Sequence, residues 1–340
     1  MLRFVWSDDC LRHEPGAEVW VGVRTPATEL PARAVAIREA LAATGAREVA
    51  AVAHDDSALL AVHDPALVEF LRTAWESWSA AALPSDRVVP YIFARSELTS
   101  GRAPATPTAV WAQPGLFAYD TMTLVGPGTW EAARAAVDVA LTAVDLVADG
   151  EPVAYACCRP PGHHVTRSLY GGSCYLNNTA VAATELLRRV GGPVAVVDID
   201  AHHGNGTQEL FLDRSDVLTA SVHADPGAGW FPHFLGFAAE NDPANLNLPL
   251  APGTGDDGWL AAVREAAAFA ASARALVVAL GVDAAAGDPE SPLEVSAAGY
   301  REAGRILGEL GLPTVVIQEG GYDLATIGSL VVETLTGLAR

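Results

Sequence analysis

Lysine is absent from this chain, and all 21 basic residues are arginines. Aspartate and glutamate together number 41, so the formal net charge at neutral pH is −20. A protein that binds nucleic acid or an anionic membrane needs clustered cations to neutralise phosphate groups. The charge balance therefore argues against both kinds of partner, and it mildly favours a cationic small molecule.

Long apolar runs and cysteine motifs are also lacking. No apolar stretch approaches the roughly 20 residues that a membrane-spanning helix needs, and charges at Asp8 and Asp9 come too early for a signal peptide. The four cysteines include the adjacent pair Cys157 and Cys158 but no C-x-x-C motif, so neither a disulfide framework nor a zinc knuckle is expected. These absences predict a cytoplasmic protein.

What the sequence does contain is a regular alternation of strands and helices after residue 129. With 340 residues, half of them hydrophobic, the chain is long enough to bury a large core. The alternation predicts an α/β fold with a parallel sheet covered on both faces, and the absence of a linker or repeat predicts a single domain over residues 1–340. Predicted strands are 3–7, 152–158, 193–200, 217–223, 275–283 and 313–318, and predicted helices are 30–44, 65–82, 129–149, 177–190, 258–273, 296–310 and one at the C-terminus.

Two long irregular stretches interrupt this pattern. Residues 84–127 are rich in proline, glycine and aromatic residues, and a structureless stretch of that length is usually functional. We expect it to pack against another subunit, which predicts a homodimer or a larger homo-oligomer. Residues 224–257 are predicted to form a second loop, rich in proline and glycine.

The strongest chemical signal follows the buried strand at 193–200. That strand leads into Asp198, Asp200, His202 and His203. Because side chains alternate along a strand, the first three should point the same way. One aspartate could cap a helix and one histidine could be structural, but four such residues within six positions make that interpretation weak. Buried carboxylates are costly without a neutralising cation, so we predict a site for zinc or a similar divalent metal.

Other polar groups also lie at strand ends, where α/β sheets bind ligands. Asp283 ends a second strand and is predicted as a third metal ligand, although alone it would more often cap a helix. Three protein ligands leave positions open for water and substrate, as in catalytic zinc sites. The rigid lead of Arg159-Pro-Pro-Gly before His163 and His164 favours a general-base role over a pair of surface histidines. Tyr322 follows a glycine turn, where a phenol can donate to an oxyanion instead of only packing.

These motifs match a known family. Similar runs occur in the zinc-dependent histone deacetylase superfamily, and the bacterial acetylpolyamine amidohydrolases are its most similar branch. The resemblance extends from residue 1 to about 338. It implies the arginase–deacetylase fold, with a central parallel sheet of about eight strands flanked by helices, and the hydrolysis of acetyl amides. The motifs are Arg159-Pro-Pro-Gly-His-His, Gly171-Gly-Ser-Cys-Tyr-Leu-Asn-Asn, Asp198-x-Asp-x-His-His-Gly-Asn-Gly-Thr-Gln, Leu280-Gly-Val-Asp283 and Glu319-Gly-Gly-Tyr322.

The resemblance also implies roles for the residues around the metal. His164 would act as the general base and then as the general acid, with His163 beside it as an electrostatic partner held by Asp198. Asn205 stands where some relatives have a second aspartate, which should leave His164 less biased toward its charged form. Tyr322 and the metal would polarise the acetyl carbonyl.

Two ions are implied. One catalytic zinc ion would be held by Asp200, His202 and Asp283. A structural potassium ion would be held by Asp198, Asp200 and nearby carbonyl groups, including those of His202, Ser221 and Val222.

The substrate channel departs from the family pattern at several positions. Phe231 supplies one aromatic wall, but Ser173 replaces the other and should widen the channel, and Gly172 is expected among the substrate-binding residues. Bacterial amidohydrolases carry acidic residues in the long loop near positions 111 and 122, where this chain has Trp111 and Met122. We expect Trp111 to contact the substrate.

Two carboxylates favour a cationic substrate. Glu18 is present, and Glu290 occupies a gatekeeper position at which a vertebrate polyamine deacetylase also has glutamate. Without the resemblance to this family, Glu290 would be interpreted as a solvent-exposed charge in a loop. We therefore expect a zinc-dependent deacetylase of small cationic amines such as acetylpolyamines. The alternative is a deacylase of a bulkier small-molecule amide or of acetyl-lysine proteins.

Two other functions fit less well. An arginase-type enzyme needs a second metal and an aspartate two residues after His202, where this chain has Gly204. A binding module without activity would lack a ligand or a base, and none is missing here.

Overall fold

Eight parallel strands form one continuous sheet at the centre of the protein, in a computed structural model that describes residues 2–339. Its strand order is β4-β1-β5-β10-β9-β6-β7-β8, and β2 and β3 form a separate antiparallel hairpin. The strands are β1 (Arg3–Trp6), β2 (Glu18–Trp20), β3 (Val23–Thr25), β4 (Arg47–Ala50), β5 (Val153–Ala156), β6 (Val194–Asp198), β7 (Val217–Ala224), β8 (Asn245–Leu250), β9 (Ala275–Leu280) and β10 (Thr314–Gln318).

Helices cover both faces of this sheet. One apolar core lies between the sheet and α3, α5 and α6, and a second lies between the opposite face and α1, α8, α9 and α10. The helices are α1 (Pro31–Ala43), α2 (Ser57–Val62), α3 (Pro65–Ala80), α4 (Pro114–Phe117), α5 (Thr129–Ala148), α6 (Asn178–Val190), α7 (Asn205–Phe211), α8 (Asp256–Ala270), α9 (Ala297–Gly308) and α10 (Ile327–Leu338).

The central strands are apolar because both of their faces are covered. Every residue of β6 and of β9 is buried. Asp198, the last residue of β6, lies beside Ser221 of β7 and Ala279 of β9. The register therefore brings the polar residues that follow these strands to one edge of the sheet.

The predicted fold class is confirmed, and so is the count of about eight strands. The sequence pattern itself indicated six of them, and it missed the two edge strands. β4 has only four residues and is mostly exposed. β8 lies inside 224–257, so the prediction of a continuous loop there is wrong. Its sequence Asn-Leu-Asn-Leu-Pro-Leu alternates, with Asn245 and Asn247 on the buried side, and buried asparagines do not read as a strand core.

The remaining differences are local. Residues 84–127 are mostly irregular, as expected, but contain α4 and a short 3-10 helix at Val110–Ala112. Glu18 lies in strand β2. Over residues 2–339, none of the helices combines the length and the apolar character needed to cross a membrane.

Candidate active site

Three predicted metal ligands come together at the carboxyl edge of the sheet. Asp200 and His202 follow β6, Asp283 follows β9, and one ligand atom from each lies within 4.8 Å of the other two. His202 Nδ1 lies 3.3 Å from Asp200 Oδ1 and 3.1 Å from Asp283 Oδ2. The structure thus contains a group of side chains able to hold a metal ion.

Main-chain amides fix the two carboxylates of this group. Gly320 N donates to Asp200 Oδ2 over 2.7 Å, and Ala201 N donates to Asp283 Oδ1 over 2.8 Å. Gly320 has to be a glycine, because a Cβ there would lie 2.3 Å from Asp283 Oδ2 and 2.5 Å from Asp200 Oδ2. The oxygens left over face His202, so the donor atoms converge without any rearrangement.

Because Asp200 and Asp283 are buried, their negative charges are unfavourable without a compensating cation. Burial and the nearby charge of Asp200 raise the pKa of Asp283 to about 7. Burial alone would lower the pKa of His202, but its hydrogen bonds to Asp200 and Asp283 raise that pKa well above its usual value. Two buried carboxylates and one imidazole are a donor set that a divalent cation would neutralise. The residues present therefore fit a metal ion.

The predicted histidine pair lies beside the metal ligands and is buried, not on the surface. The two rings are 4.0 Å apart between centroids. His163 Nδ1 lies 2.9 Å from Asp198 Oδ2. Burial opposes a charge on His163, but the charges of Asp198 and Asp200 prevail and raise its pKa to about 10. His163 is therefore positively charged at neutral pH.

His164 has the opposite electrostatic character. Burial and then the charges of His163 and His202 lower its pKa well below the usual value. Its Nδ1 lies 2.7 Å from Asn205 Oδ1, while Asn205 Nδ2 donates to the carbonyl oxygen of His164. Because an amide oxygen only accepts, Nδ1 carries the proton and Nε2 keeps its lone pair. His164 is a neutral imidazole ready to accept a proton.

Glu319, a buried residue to which no role was assigned from the sequence, fixes the histidine loop, which is the segment that carries His163 and His164. Glu319 Oε2 accepts hydrogen bonds from Gly162 N at 2.6 Å and from His163 N at 3.1 Å, and Oε1 accepts one from Thr179 Oγ1 at 2.6 Å. Burial raises its pKa to about 7. Its place directly before the Gly-Gly-Tyr turn was a signal that could have identified it.

A second network had no such local signal. Glu29 Oε1 accepts from Arg159 Nε at 2.9 Å and from Arg33 at 2.7 Å, and all three side chains are buried. Arg33 also donates to the carbonyl oxygens of Gly321 and Glu319, 2.5 and 2.6 Å away. Glu29 and Arg33 are four residues apart, but the contacts with Arg159, Glu319 and Gly321 join residues 130 to 288 positions apart, so spacing does not reveal the network.

Arg33 also supports the predicted tyrosine. Its guanidinium carbon lies 4.6 Å from the centroid of the Tyr322 ring. Burial raises the pKa of the Tyr322 phenol well above its usual value, against the opposing effect of Arg33. Tyr322 therefore stays protonated and can act as a hydrogen-bond donor.

A cavity of about 970 Å³ opens onto these groups. It reaches from the metal ligands to the hairpin β2–β3. Predicted residues that line it are Glu18, His164, Gly172, Ser173, His202, Asn205, Phe231, Glu290 and Tyr322, and Met122 also lines it.

Two carboxylates, Glu18 and Glu290, line the cavity. Burial and then the charge of Glu290 raise the pKa of Glu18 to about 7. Trp20, which shares a face of β2 with Glu18, also lines the cavity and is 64% exposed. A cation bound here would relieve the repulsion between the two carboxylates.

The walls near the metal site are partly as expected. A Cβ on Gly172 would lie 2.4 Å from the ring of His164 and 2.9 Å from that of Phe231, so this position requires glycine. Ser173 contributes no ring. Tyr119, which we had not assigned, lies 6.2 Å from Phe231 between ring centroids and donates to the carbonyl oxygen of His164 at 3.1 Å.

Trp111 lies elsewhere than expected, whereas His203 points away from Asp200 and His202, as the alternation of side chains along a strand implies. Trp111 is half exposed and does not line the cavity. The expectation that it contacts the substrate finds no support in this chain. His203 turns away from the metal ligands and contacts Asn247 Oδ1 at 3.0 Å.

Comparisons with known proteins agree with this geometry. The family model described as "Histone deacetylase domain" matches residues 27–338. An acetylpolyamine amidohydrolase of Mycoplana ramosa is 38% identical over 348 residues, which cover 99% of this chain and 100% of the relative. Acetylpolyamine amidohydrolase 1 of Pseudomonas aeruginosa is 38% identical over 98% of this chain and 97% of its own length.

Solved structures are similar as well. The crystal structure of an acetylpolyamine aminohydrolase from Burkholderia pseudomallei superposes with a TM-score of 0.94 at 34% identity, covering 100% of this chain and 99% of that one. The HD domain of HDA15 superposes with a TM-score of 0.78 at 28% identity, over 100% and 91% of the two chains. The family resemblance is thereby confirmed, and the protein belongs to the histone deacetylase domain family.

Proposed function

We propose that this protein is a zinc-dependent amidohydrolase that removes acetyl groups from small cationic amines such as acetylpolyamines. The observation that carries the proposal is that one cavity is lined by His202 of the Asp200–His202–Asp283 group, by His164 with its lowered pKa, and by the interacting carboxylates of Glu18 and Glu290. Two of the similar relatives are named acetylpolyamine amidohydrolases, which supports the same substrate class.

The metal would be held by Asp200, His202 and Asp283, and this mixed oxygen and nitrogen donor set suits zinc. When bound, zinc would supply Lewis-acid polarisation of the acetyl carbonyl and would lower the pKa of water. Three protein ligands leave room for that chemistry. A potassium ion near Asp198 and Asp200, with carbonyl groups of His202, Ser221 and Val222, is proposed as a structural ion.

His164 moves the proton in this mechanism. Its Nε2 accepts a proton from the attacking water and later donates it to the leaving amine nitrogen. Asn205 maintains the required tautomer through its contact with Nδ1. Burial and then the charge of His163 keep the pKa of His164 low, which favours an unprotonated base in the resting enzyme.

Tyr322 acts on the other side of the amide. Its protonated phenol donates to the acetyl oxygen as negative charge develops there in the transition state. The ring packs under Arg33, and Arg33 also donates to Gly321 O. The phenol is therefore held in place before the substrate arrives, which limits the reorganisation needed during the reaction.

Glu18 and Glu290 account for the cationic substrate. An ammonium group distal to the acetyl amide would sit near two carboxylates, and burial and then the charge of Glu290 raise the pKa of Glu18. Charge-assisted contacts of this kind in a partly wet site are worth on the order of 1–3 kcal/mol. That corresponds to roughly ten- to a hundredfold in kcat/KM.

A bulkier small-molecule amide is the second candidate. The cavity volume of about 970 Å³ exceeds what a slender polyamine occupies, and Ser173 leaves one wall without a ring. Trp20 and the highly exposed Phe234 also line the cavity and offer apolar surface to a larger group.

A homodimer or larger homo-oligomer is proposed for the assembly. Residues 84–127 present several exposed apolar side chains that an isolated chain leaves in water, namely Tyr91, Ile92, Leu98 and Trp111.

The first prediction concerns metal content. Purified protein should hold one zinc ion per chain, because three converging donors make one mononuclear site. Elemental analysis checks this, and Asp283→Ala should lose most of the metal. Two equivalents of manganese, or a full zinc content in Asp283→Ala, would contradict the proposal.

The second prediction concerns the chemical step. His164→Ala and Tyr322→Phe should each lower kcat by on the order of a hundredfold or more, because their contributions arise in the transition state. Zinc content should stay near one equivalent in both variants. A variant with near-native kcat would exclude that residue from its role.

The third prediction concerns pH. Asn205→Asp places a carboxylate against His164 Nδ1, which favours the imidazolium and raises the pKa of His164. The neutral base is then lost at a higher pH, so the acidic limb of the kcat/KM profile should move to higher pH. An unchanged acidic limb would show that His164 is not the group titrating there.

The fourth prediction concerns selectivity. Glu290→Leu should lower kcat/KM for N-acetylputrescine by roughly tenfold and spare N-pentylacetamide, a neutral amide of similar length. Glu294→Leu is the matched control, since Glu294 is exposed and does not line the cavity. Equal responses of the two substrates would make Glu290 a bystander and favour the bulkier amide.

A further inference from the structure

One buried carboxylate that has no part in the mechanism described above touches two functional segments at once. Asp288 follows β9 and is 7% exposed. Its Oδ2 accepts hydrogen bonds from Tyr322 N at 2.7 Å and from Asp323 N at 3.2 Å. Its Oδ1 accepts from Glu290 N at 3.0 Å.

The contact with Glu290 has a local explanation, but the contact with Tyr322 does not. An aspartate commonly bonds the amide two residues further along in a turn of this kind. Tyr322 lies 34 residues further along the chain, after a different strand. A surface turn would not need that partner, and a buried carboxylate bonded to three main-chain amides is held far more firmly than a solvated one.

The backbone on both sides of these contacts is shaped to reach Asp288. Gly287, directly before it, has φ +92°, and Gly321, directly before Tyr322, has φ +118°. Side chains other than glycine rarely adopt these angles. A Cβ on Gly321 would also lie 2.5 Å from the side chain of Val282. Both turns are therefore built to one conformation, and Asp288 is the group at which they meet.

We propose that Asp288 is a positioning residue that sets the catalytic phenol of Tyr322 and the substrate-selecting carboxylate of Glu290 together. The inference rests on the proposed function, because it assigns Asp288 its effect through the two residues named there. One oxygen fixes the main chain at Tyr322 and the other fixes it at Glu290. Catalysis and selectivity thus depend on a single side chain that touches neither the acetyl group nor the distal amine.

The test is a double-mutant cycle on the metal-loaded enzyme. Asp288→Ala should lower kcat by on the order of tenfold or more for both N-acetylputrescine and N-pentylacetamide, because a small displacement of a catalytic group has a large effect on rate. In a Tyr322→Phe background the same substitution should change kcat by less than about threefold, since the phenol through which Asp288 acts is gone.

The second part of the test measures substrate preference in the same pair of backgrounds, native and mutated. Asp288→Ala should also reduce the preference for N-acetylputrescine over N-pentylacetamide. In a Glu290→Leu background it should leave the remaining preference unchanged. Asp323→Asn is the control: its carboxylate caps the turn before α10 through Ala325 N and Thr326 Oγ1, so it should alter neither kcat nor preference.

The conservative variant Asp288→Asn keeps the shape of the side chain, but its amide accepts hydrogen bonds through one oxygen only. Because one set of contacts is then lost, kcat and the substrate preference should be impaired to different extents. If Asp288→Ala lowered kcat as strongly in the Tyr322→Phe background as in the native enzyme, and lowered the preference as strongly in the Glu290→Leu background, the proposal would be overturned. Loss of zinc or an early melting transition in both Asp288 variants would also overturn it, because the role would then be structural. If Tyr322→Phe alone retained full activity, the proposed mechanism would be the part that fails.

Discussion

The pairing of one buried glutamate with two arginines is the interaction on which the catalytic edge depends. Glu29 binds Arg159, which precedes the histidine loop, and Arg33, which holds the carbonyl groups of the Gly-Gly-Tyr turn. Removing one partner of such a buried set typically costs about 3–5 kcal/mol, because a charge is left unpaired in the interior. His164 and Tyr322, the proposed base and the proposed hydrogen-bond donor, are thus connected through buried side chains that are not themselves assigned a part in the reaction.

Main-chain amides provide the second means of control at this edge. The carboxylates of Asp200, Asp283, Glu319 and Asp288 each accept at least one hydrogen bond from a backbone N–H. A backbone donor cannot swing away as a side chain can, so each carboxylate keeps its orientation. Preorganised polar groups of this kind are effective in catalysis because they need little reorganisation when charge develops. His163 and His164 are neighbours in the same buried region, yet the pKa of His163 is raised and that of His164 is lowered.

The parts of the fold and site that could be predicted from the sequence share one property, which is that their signal is local. Strand β6 is an apolar run, and Asp200 and His202 follow it within four residues. Asp283 ends a comparable run, and parallel strands place such ends on one edge. Strand β8 was not predicted because buried asparagines interrupt its apolar pattern, and strand β4 was not predicted because it is short and exposed.

The sequence by itself determined the α/β class, the family and the set of donors at the strand ends, since these depend on residue type and on spacing along a few neighbouring positions. Only the tertiary structure decided which partner each group meets. Arg159 and Glu29 are 130 residues apart and Arg33 and Gly321 are 288 apart, and nothing in their spacing predicts contact. The same reason applies to Trp111, whose position in the family pattern suggested contact with the substrate but which does not line the cavity. Burial and the charges of neighbouring groups, which shift the pKa values of His163 and His164 in opposite directions, arise only once distant segments are packed together.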